Sequence, residues 1–562
     1  MNVDRSVFPA TYAFFVDILR QCEFYAMDEE MTGINVPEVT ENITFTPVES
    51  YRSKKLAASR YSIIQVGVTL FVRQPTAENG KLSYLAYPFN FVVFPYHNDD
   101  PQDAGLVRDV VLNASTVDFL RKHKMDFQEW MYKGIPFVDA AREKVLAARL
   151  KERGVVVEKE EEELLLLLDE EKAWLRESFQ AAETLLQRAE TCWAAFREAN
   201  PNLPVASAVV EGGSEVMLPV QKSRTVRERF AARLQRELPQ VTVQYRRQGQ
   251  VYSAVIRARS KEELQRSREA EVLSRRREEL DVIGFRHIFN ALVESKKPMV
   301  GHNCFADILF LMAALHQPLP ESLSECKKEV HECFPTVLDT KYITSQQDHF
   351  PAGRFPSNYL GGFFEQYGFQ SDKVSVRLPL GFQSYDPMTL MGSGRGGGPE
   401  HEAGYDSLIT GTLLLNLLAE VGSTSLADAP AKWVNKVALF RSLYSVALGA
   451  ETDEYTPAPV VQIDHGAHVK PLQLESCFAA CGQPGTAFYS ASETKTLGVL
   501  PWKAGEVDRL VRQLNEKYMR QLTVKPYDPP VVASSPFAKF AAPVESGAFA
   551  STGVRLMRLL IR

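Results

Sequence analysis

The first hundred residues alternate between helical and strand patterning. Residues 11–21 are predicted as a helix, and Phe24-Tyr25-Ala26-Met27-Asp28-Glu29-Glu30-Met31 as a hydrophobic strand that ends in acid. Residues 61–71 and 84–94 are two more apolar strands. The stretch 62–71 is nearly continuous in β-branched and aromatic side chains, the mark of a strand covered on both faces. Residues 115–124 read as a helix capped by Asn113 or Ser115. From Ala140 to Asn200 the pattern is helical and charged. It includes the run Glu158 to Glu163 and leucines 164–168, and is read as a solvated spacer. An Arg-rich helix follows over 225–237 (Arg224, Arg227, Arg229, Arg233, Arg236), then strands 241–245 and 251–257 about a turn at Gln248-Gly249, then a charged helix over 261–286.

Further on, Met299-Val300-Gly301-His302-Asn303-Cys304-Phe305-Ala306-Asp307 reads as a short strand, a Gly turn and the opening of a helix over 308–315. A second apolar strand ends at Leu338-Asp339. The flexible run Gly392 to Gly398 then precedes His401 and an apolar helix over 407–418. Beyond Pro430, segments 437–448, 459–464 and 486–489 read as strands around a helix at 472–481, a small βαβ-type module. Residues 529–562 form a Pro-, Ser- and Ala-rich tail. The class is α/β, a mixed sheet flanked by helices.

At 562 residues the chain is too long for one core. A hydrophobic content of 45% and a charged content of 24% are those of ordinary globular proteins. The net charge of −6 offers no overall basic excess, so any nucleic-acid surface must be a local patch. Seven cysteines, none spaced Cys-x-x-Cys, argue for free thiols rather than a zinc site or disulfide frame. No apolar run reaches the ~18 residues of a membrane helix, so an intracellular chain, cytoplasmic or nuclear, is expected.

The chemistry lies in the acids. Strand alternation turns Asp28 and Glu30 to one face and Glu29 to the other, which sets two carboxylates side by side as a hard divalent cation requires. Asp307 opens a helix, and Asp406 does so five residues after His401. On composition alone Asp339 competes with Asp307 as a ligand.

Asp-x-Glu, Gly-His-Asn-x-x-x-Asp and His-x-x-x-x-Asp, in this order, resemble the three motifs of the DEDD-type 3′→5′ exonucleases with a motif histidine. The opening residues 8–34, Phe334 to Lys341, Phe382 to Asp386 and His401-Glu402-Ala403-Gly404-Tyr405-Asp406 are similar to the poly(A)-specific ribonucleases, diffusely over residues 1–525. Glu29 departs from the small or apolar residue usual between the two acids.

The resemblance implies a ribonuclease H-like exonuclease domain in two parts, 1–165 and 271–425. A helical segment with a small α+β nucleic-acid-binding domain is inserted at 166–270. An RNA-recognition-motif-like α+β domain follows at 435–528, and the tail occupies 529–562. It implies Asp28, Glu30, Asp307 and Asp406 as ligands of two Mg²⁺ ions, with Mn²⁺ able to stand in. In that reading Asp28 bridges the ions, Glu30 and Asp406 complete the one holding the attacking water, and Asp307 holds the one at the leaving 3′-oxygen. His401 is the general base, and Thr32, Gly33, Ile34 and Lys341 meet substrate. The implied substrate is a single-stranded poly(A) 3′ end released as 5′-AMP by a homodimer. Trimming of small or structured RNA 3′ ends is the alternative, and an inactive RNA-binding protein on the same fold a second. The inserted domain lacks the family's Arg-x-x-x-His signature, since no His occurs between His123 and His287. Val469 falls where the cap-stacking Trp is expected, so cap binding is not carried over.

Overall fold

The computed structural model describes residues 1–527 apart from 40, 42–44, 76–80, 98–107, 153–167, 204–209, 211–212, 220–222, 249–250, 347, 352–353, 356–358, 387–400, 441, 443, 450–459, 467–468, 470, 484–485, 493, 501–506 and 519–520. The Glu158 to Glu163 run, Leu164 to Leu167, Gly249, Gly392 to Gly398 and the tail at 529–562 therefore lie outside the described residues. The chain divides into two units, residues 1–143 with 281–562, and residues 144–280.

The first unit is built on a mixed sheet of ten strands among the described residues. In chain order these are β1 (Asn2–Val3), β2 (Phe24–Met31), β3 (Ile63–Arg73), β4 (Leu82–Pro95), β5 (Ile135–Phe137), β6 (Met299–Gly301), β7 (Val337–Asp339), β8 (Val374–Arg377), β9 (Lys436–Ala438) and β10 (Ser445–Ala447). The order across the sheet is β1-β4-β3-β2-β6-β7-β9-β10, with β5 and β8 also on β4. The β2–β3 and β3–β4 pairs are antiparallel, and β2–β6 and β6–β7 are parallel. The acid-ended strand is thus central. Phe24 to Met27 are buried on both faces of it, as an apolar run without alternation requires.

Helix α1 (Phe8–Gln21) starts earlier than the predicted residue 11. Pro9 sits in its first turn, where the missing N–H has no partner to lose. Helix α2 (Pro47–Arg60) opens on a capping box in which Thr46 and Glu49 bond each other's backbone. Helix α3 (Ala114–Lys122) is capped by Asn113, whose Oδ1 accepts from the N–H groups of Ser115 and Thr116. Helix α4 (Phe305–Leu311) gives way to a π-helical turn at Met312–His316. Helix α5 (Ala403–Glu420) is buried through Ala419, consistent with a sequence that is apolar all round.

The segment 437–448, predicted in the C-terminal module, instead supplies β9 and β10 to the large sheet, because Leu338 of β7 is free to pair with Lys436. The module is also fuller than βαβ. Strands Val460–His465, Ala487–Ser492, Lys495–Val499 and Leu522–Pro526 form an antiparallel sheet with helices Pro471–Ala479 and Val507–Tyr518, a βαββαβ order. Val461, Ile463, Phe478, Leu510, Leu514 and Val524 make its core.

The second unit holds helix Asp169–Ala199, a three-stranded antiparallel sheet (Glu215–Pro219, Val251–Ala258, Val241–Gln248) and helix Arg224–Glu237. Phe179, Leu185, Trp193, Phe230, Leu234 and Ile256 form its core. Of the arginines on the basic helix, Arg224 pairs with Glu228, and Arg233 and Arg236 with Glu237. Helix Lys261–Ile283 is exposed over nearly all its length. Among the described residues no helix is long and apolar enough to cross a membrane.

Candidate active site

Asp28 lies opposite Gly67 in the β2–β3 ladder, and Glu30 opposite Gln65. A side chain at Gly67 would collide with the helix above, since its Cβ would fall 1.8 Å from the Ala403 carbonyl oxygen. The missing Cβ lets the first turn of α5 rest on the strand. That first turn carries Asp406.

The turn before α5 is fastened at several points. The N–H of His401 donates to Asp406 Oδ2 (3.0 Å), and that of Gly404 to Asn90 Oδ1 (3.2 Å). The Glu402 carboxylate accepts from the Tyr385 hydroxyl and the Asn90 amide. Glu30, His401 and Asp406 are thereby brought together, with one candidate ligand atom from each lying within 4.8 Å of the others.

Asp307 arrives from the parallel side, in the first turn of α4 after β6. Its approach depends on Asp339, which is wholly buried. Oδ1 of Asp339 accepts from the backbone N–H groups of Asn303, Lys341 and Tyr342, and Oδ2 from those of Cys304 and Ala438. A carboxylate committed to five N–H groups is a brace for the β6–α4 turn. The two acids that composition could not tell apart are separated in this way, because among the described residues the Asp307 carboxylate accepts only from its own backbone N–H.

Burial, and then the charges of Asp406, Asp307, Glu30 and Glu29, push the Asp28 carboxyl well above its usual range. Burial raises Glu30 strongly too, with Asp406 and Asp307 adding to it. Asp307 is raised to about 7, by burial first and then by Asp339. Among the described residues neither the Asp28 nor the Glu30 carboxylate has a hydrogen bond or ion pair. Three half-buried carboxylates that repel one another fit a divalent metal with oxygen ligands. Asp28, Glu30, Asp307 and Asp406 would hold it.

A metal displaces the protons these raised groups would otherwise keep. In the metal-free chain the ionised carboxylates cost stability, a cost absent below the ordinary carboxylate range and complete for Asp307 above about 7. The rise in melting temperature produced by Mg²⁺ is therefore expected to be larger at about pH 8 than at about pH 5.5. Thermal melts with and without Mg²⁺ at the two pH values check this, and equal shifts would refute the site.

Burial, and then His123, push His401 below the ordinary imidazole range, so its ring is neutral near pH 7 and able to take a proton. Thr32 is fully buried and its hydroxyl accepts from the Ser62 N–H, which removes its side chain from any substrate surface. Gly33 lies against the Tyr61 ring, where a Cβ would fall 2.9 Å from it. Ile34 is exposed. Lys341 sits with its ammonium 5.7 Å from the Phe363 ring centroid, and burial lowers its pKa.

Glu29 faces away from the other two acids and is buried. Neither of its oxygens has a hydrogen-bond partner among the described residues, and burial raises its carboxyl well above the usual range.

Several residues of this site gave no signal in the sequence. Lys54, buried on α2, donates to the Ile34 carbonyl (3.1 Å), Asn35 Oδ1 (2.7 Å) and Glu41 Oε2 (3.0 Å) and so ties down the loop after β2. Gln65 and Asn90 reach α5 from strand interiors, and Phe119 of α3 and His123, just past its last residue, reach His401. Amide residues within apolar strands were the one available cue.

The profile of the CAF1 family ribonucleases matches residues 3–414. The chain is 25% identical to the poly(A)-specific ribonuclease PARN of Xenopus laevis over 451 residues, 75% of this chain and 63% of that protein. It is thus matched to less than two thirds of that relative's length. It is 23% identical to the poly(A)-specific ribonuclease PNLDC1 of Mus musculus, over 79% of this chain and 78% of that one. It is 26% identical to the pre-piRNA 3′-exonuclease trimmer of Bombyx mori, over 80% and 78%. With the family profile spanning most of the chain, and with the acids and imidazole gathered at one strand end, this protein belongs to the CAF1 family of ribonucleases.

Proposed function

We propose that the protein is a 3′→5′ exoribonuclease that hydrolyses single-stranded RNA from its 3′-hydroxyl end, with poly(A) as its substrate and 5′-AMP as product. The observation that carries this reading is the convergence of Glu30, His401 and Asp406, with Asp28 and Asp307 alongside. Two divalent ions, when bound, would neutralise charge on the entering and leaving oxygens of the phosphodiester. Asp28, Glu30, Asp307 and Asp406 would hold the ions. His401, neutral and beside Glu30 and Asp406, takes the proton of the attacking water. The exposed Ile34, on a loop held by Lys54, offers an apolar surface to a terminal base.

A second reading, trimming of small or structured RNA 3′ ends, is favoured by the similarity to the Bombyx trimmer, which covers more of its partner's length than the Xenopus match does. Decay of A20, U20 and C20 oligonucleotides with Mg²⁺ separates the two. A deadenylase is expected to degrade A20 at least ~10-fold faster than the others, about 1.4 kcal/mol of discrimination. Equal rates support the trimmer, and no release of 5′-mononucleotides from any of them refutes both in favour of an RNA-binding protein without turnover.

A further inference from the structure

The imidazole of His401 is held by rings. The Phe119 ring centroid lies 4.6 Å from that of His401 at an interplanar angle of 73°, and the His123 ring 4.2 Å away at 70°. Phe119 and His123 are 4.3 Å apart, so the three rings form a closed cluster. Among the described residues neither ring nitrogen of His401 has a hydrogen-bond partner. Its backbone is set by the bond to Asp406 and by a left-handed φ of +66°. General bases are ordinarily oriented by a hydrogen bond from a third group. Here edge-to-face packing occupies that place.

The cluster is tied to the acids at its far end. Helix α3 begins at Asn113, whose N–H donates to the Thr32 carbonyl (2.9 Å) and whose side-chain amide donates to the Tyr61 hydroxyl (3.4 Å). Thr32 directly follows β2, the strand of Asp28 and Glu30. At the other end, His123 Nδ1 lies 2.9 Å from the Phe119 carbonyl oxygen. A carbonyl only accepts, so that contact assigns the hydrogen to Nδ1 and fixes the plane of the His123 ring. The helix therefore carries a fixed ring from the acidic strand to the imidazole.

We infer that His123 is a positioning residue for His401, its ring being the seat that keeps the His401 imidazole turned toward Glu30 and Asp406. The functional consequence rests on the exonuclease reading above; the seat itself does not. His123 is exposed, so its replacement leaves the core intact.

The test uses the full chain with histidines selectively labelled, ten in all, and the His401 ring resonances identified from a His401→Gln variant. In the absence of metal and RNA, His123→Ala is expected to shift the His401 ring resonances, and His123→Phe to keep most of the ring-current contribution. In the Mg²⁺ assay, His123→Ala is expected to lower kcat about tenfold with KM changed less than ~2-fold, and His123→Phe to recover most of the loss. Unmoved His401 resonances in His123→Ala would overturn the seat. Moved resonances with unchanged kcat, or equal loss in the two variants, would overturn the positioning role in catalysis. If the wild-type chain degrades no RNA, the exonuclease reading fails, and the resonances alone decide whether His123 seats His401.

Discussion

Asp28→Asn is expected to lower Mg²⁺-dependent release of 5′-mononucleotides by at least ~10³-fold, about 4 kcal/mol of transition-state stabilisation, and to raise the melting temperature of the metal-free protein. The two effects have one cause. Asp28 is the carboxylate whose range is raised by burial and then by all the others near it, Asp406, Asp307, Glu30 and Glu29. An amide of the same shape removes a half-buried charge whose side chain has no hydrogen bond among the described residues, so the metal-free fold gains. The sign follows from the raised pKa: above the ordinary carboxylate range the ionised group costs stability, and the amide abolishes that cost. The same change removes one of the oxygen ligands proposed for the metal, so the stabilisation by Mg²⁺ is expected to shrink. Melts with and without Mg²⁺ beside the nuclease assay test the set. A variant that loses activity and also melts lower without metal would show that Asp28 supports the fold rather than the chemistry.

Asp339→Asn is expected to act in the opposite manner, as a loss of stability by roughly 2–6 kcal/mol whether or not metal is present. In the best orientation the amide oxygen keeps the N–H groups of Asn303, Lys341 and Tyr342, while its NH₂ is left facing those of Cys304 and Ala438. Each buried N–H without an acceptor costs about 1–3 kcal/mol. Chemical denaturation in EDTA measures the loss. If Asp339 were a metal ligand, its replacement would instead leave the metal-free protein unharmed and abolish only the gain from Mg²⁺.

This contrast marks what could be read in the sequence. The strand Phe24–Met31 was legible from its apolar run, its acids gained meaning only beside the two later motifs, and α3 was announced by cap chemistry at Asn113 or Ser115, of which the structure uses Asn113. The family's motif spacing singled out Asp307 over Asp339. The physical reason, five backbone N–H groups on one carboxylate, belongs to a tertiary turn that no local pattern encodes. Lys54 was hidden for a similar reason: a lysine beside another lysine in a polar helix reads as surface, and only the fold turns it inward to Glu41 and the Ile34 carbonyl. Strand Lys495–Val499 was missed because it is only five residues long, whereas helix Val507–Tyr518, with Val507, Leu510, Val511 and Leu514 at helical spacing, was legible and passed over. Segment 437–448 was assigned to the wrong sheet because strand partners are chosen by geometry far along the chain.

The position of β2 at the middle of the large sheet carries a consequence for biosynthesis. One of its edges is covered early, when β3 leaves the ribosome, but the other waits for β6, encoded after the whole of residues 144–280. Throughout that interval the nascent chain presents an open, apolar ladder edge, a template for unwanted pairing that calls for chaperone shelter. The last of the proposed ligands, Asp406, emerges later still with α5, so under the exonuclease reading proposed above a ribosome-bound fragment that stops short of it is inactive.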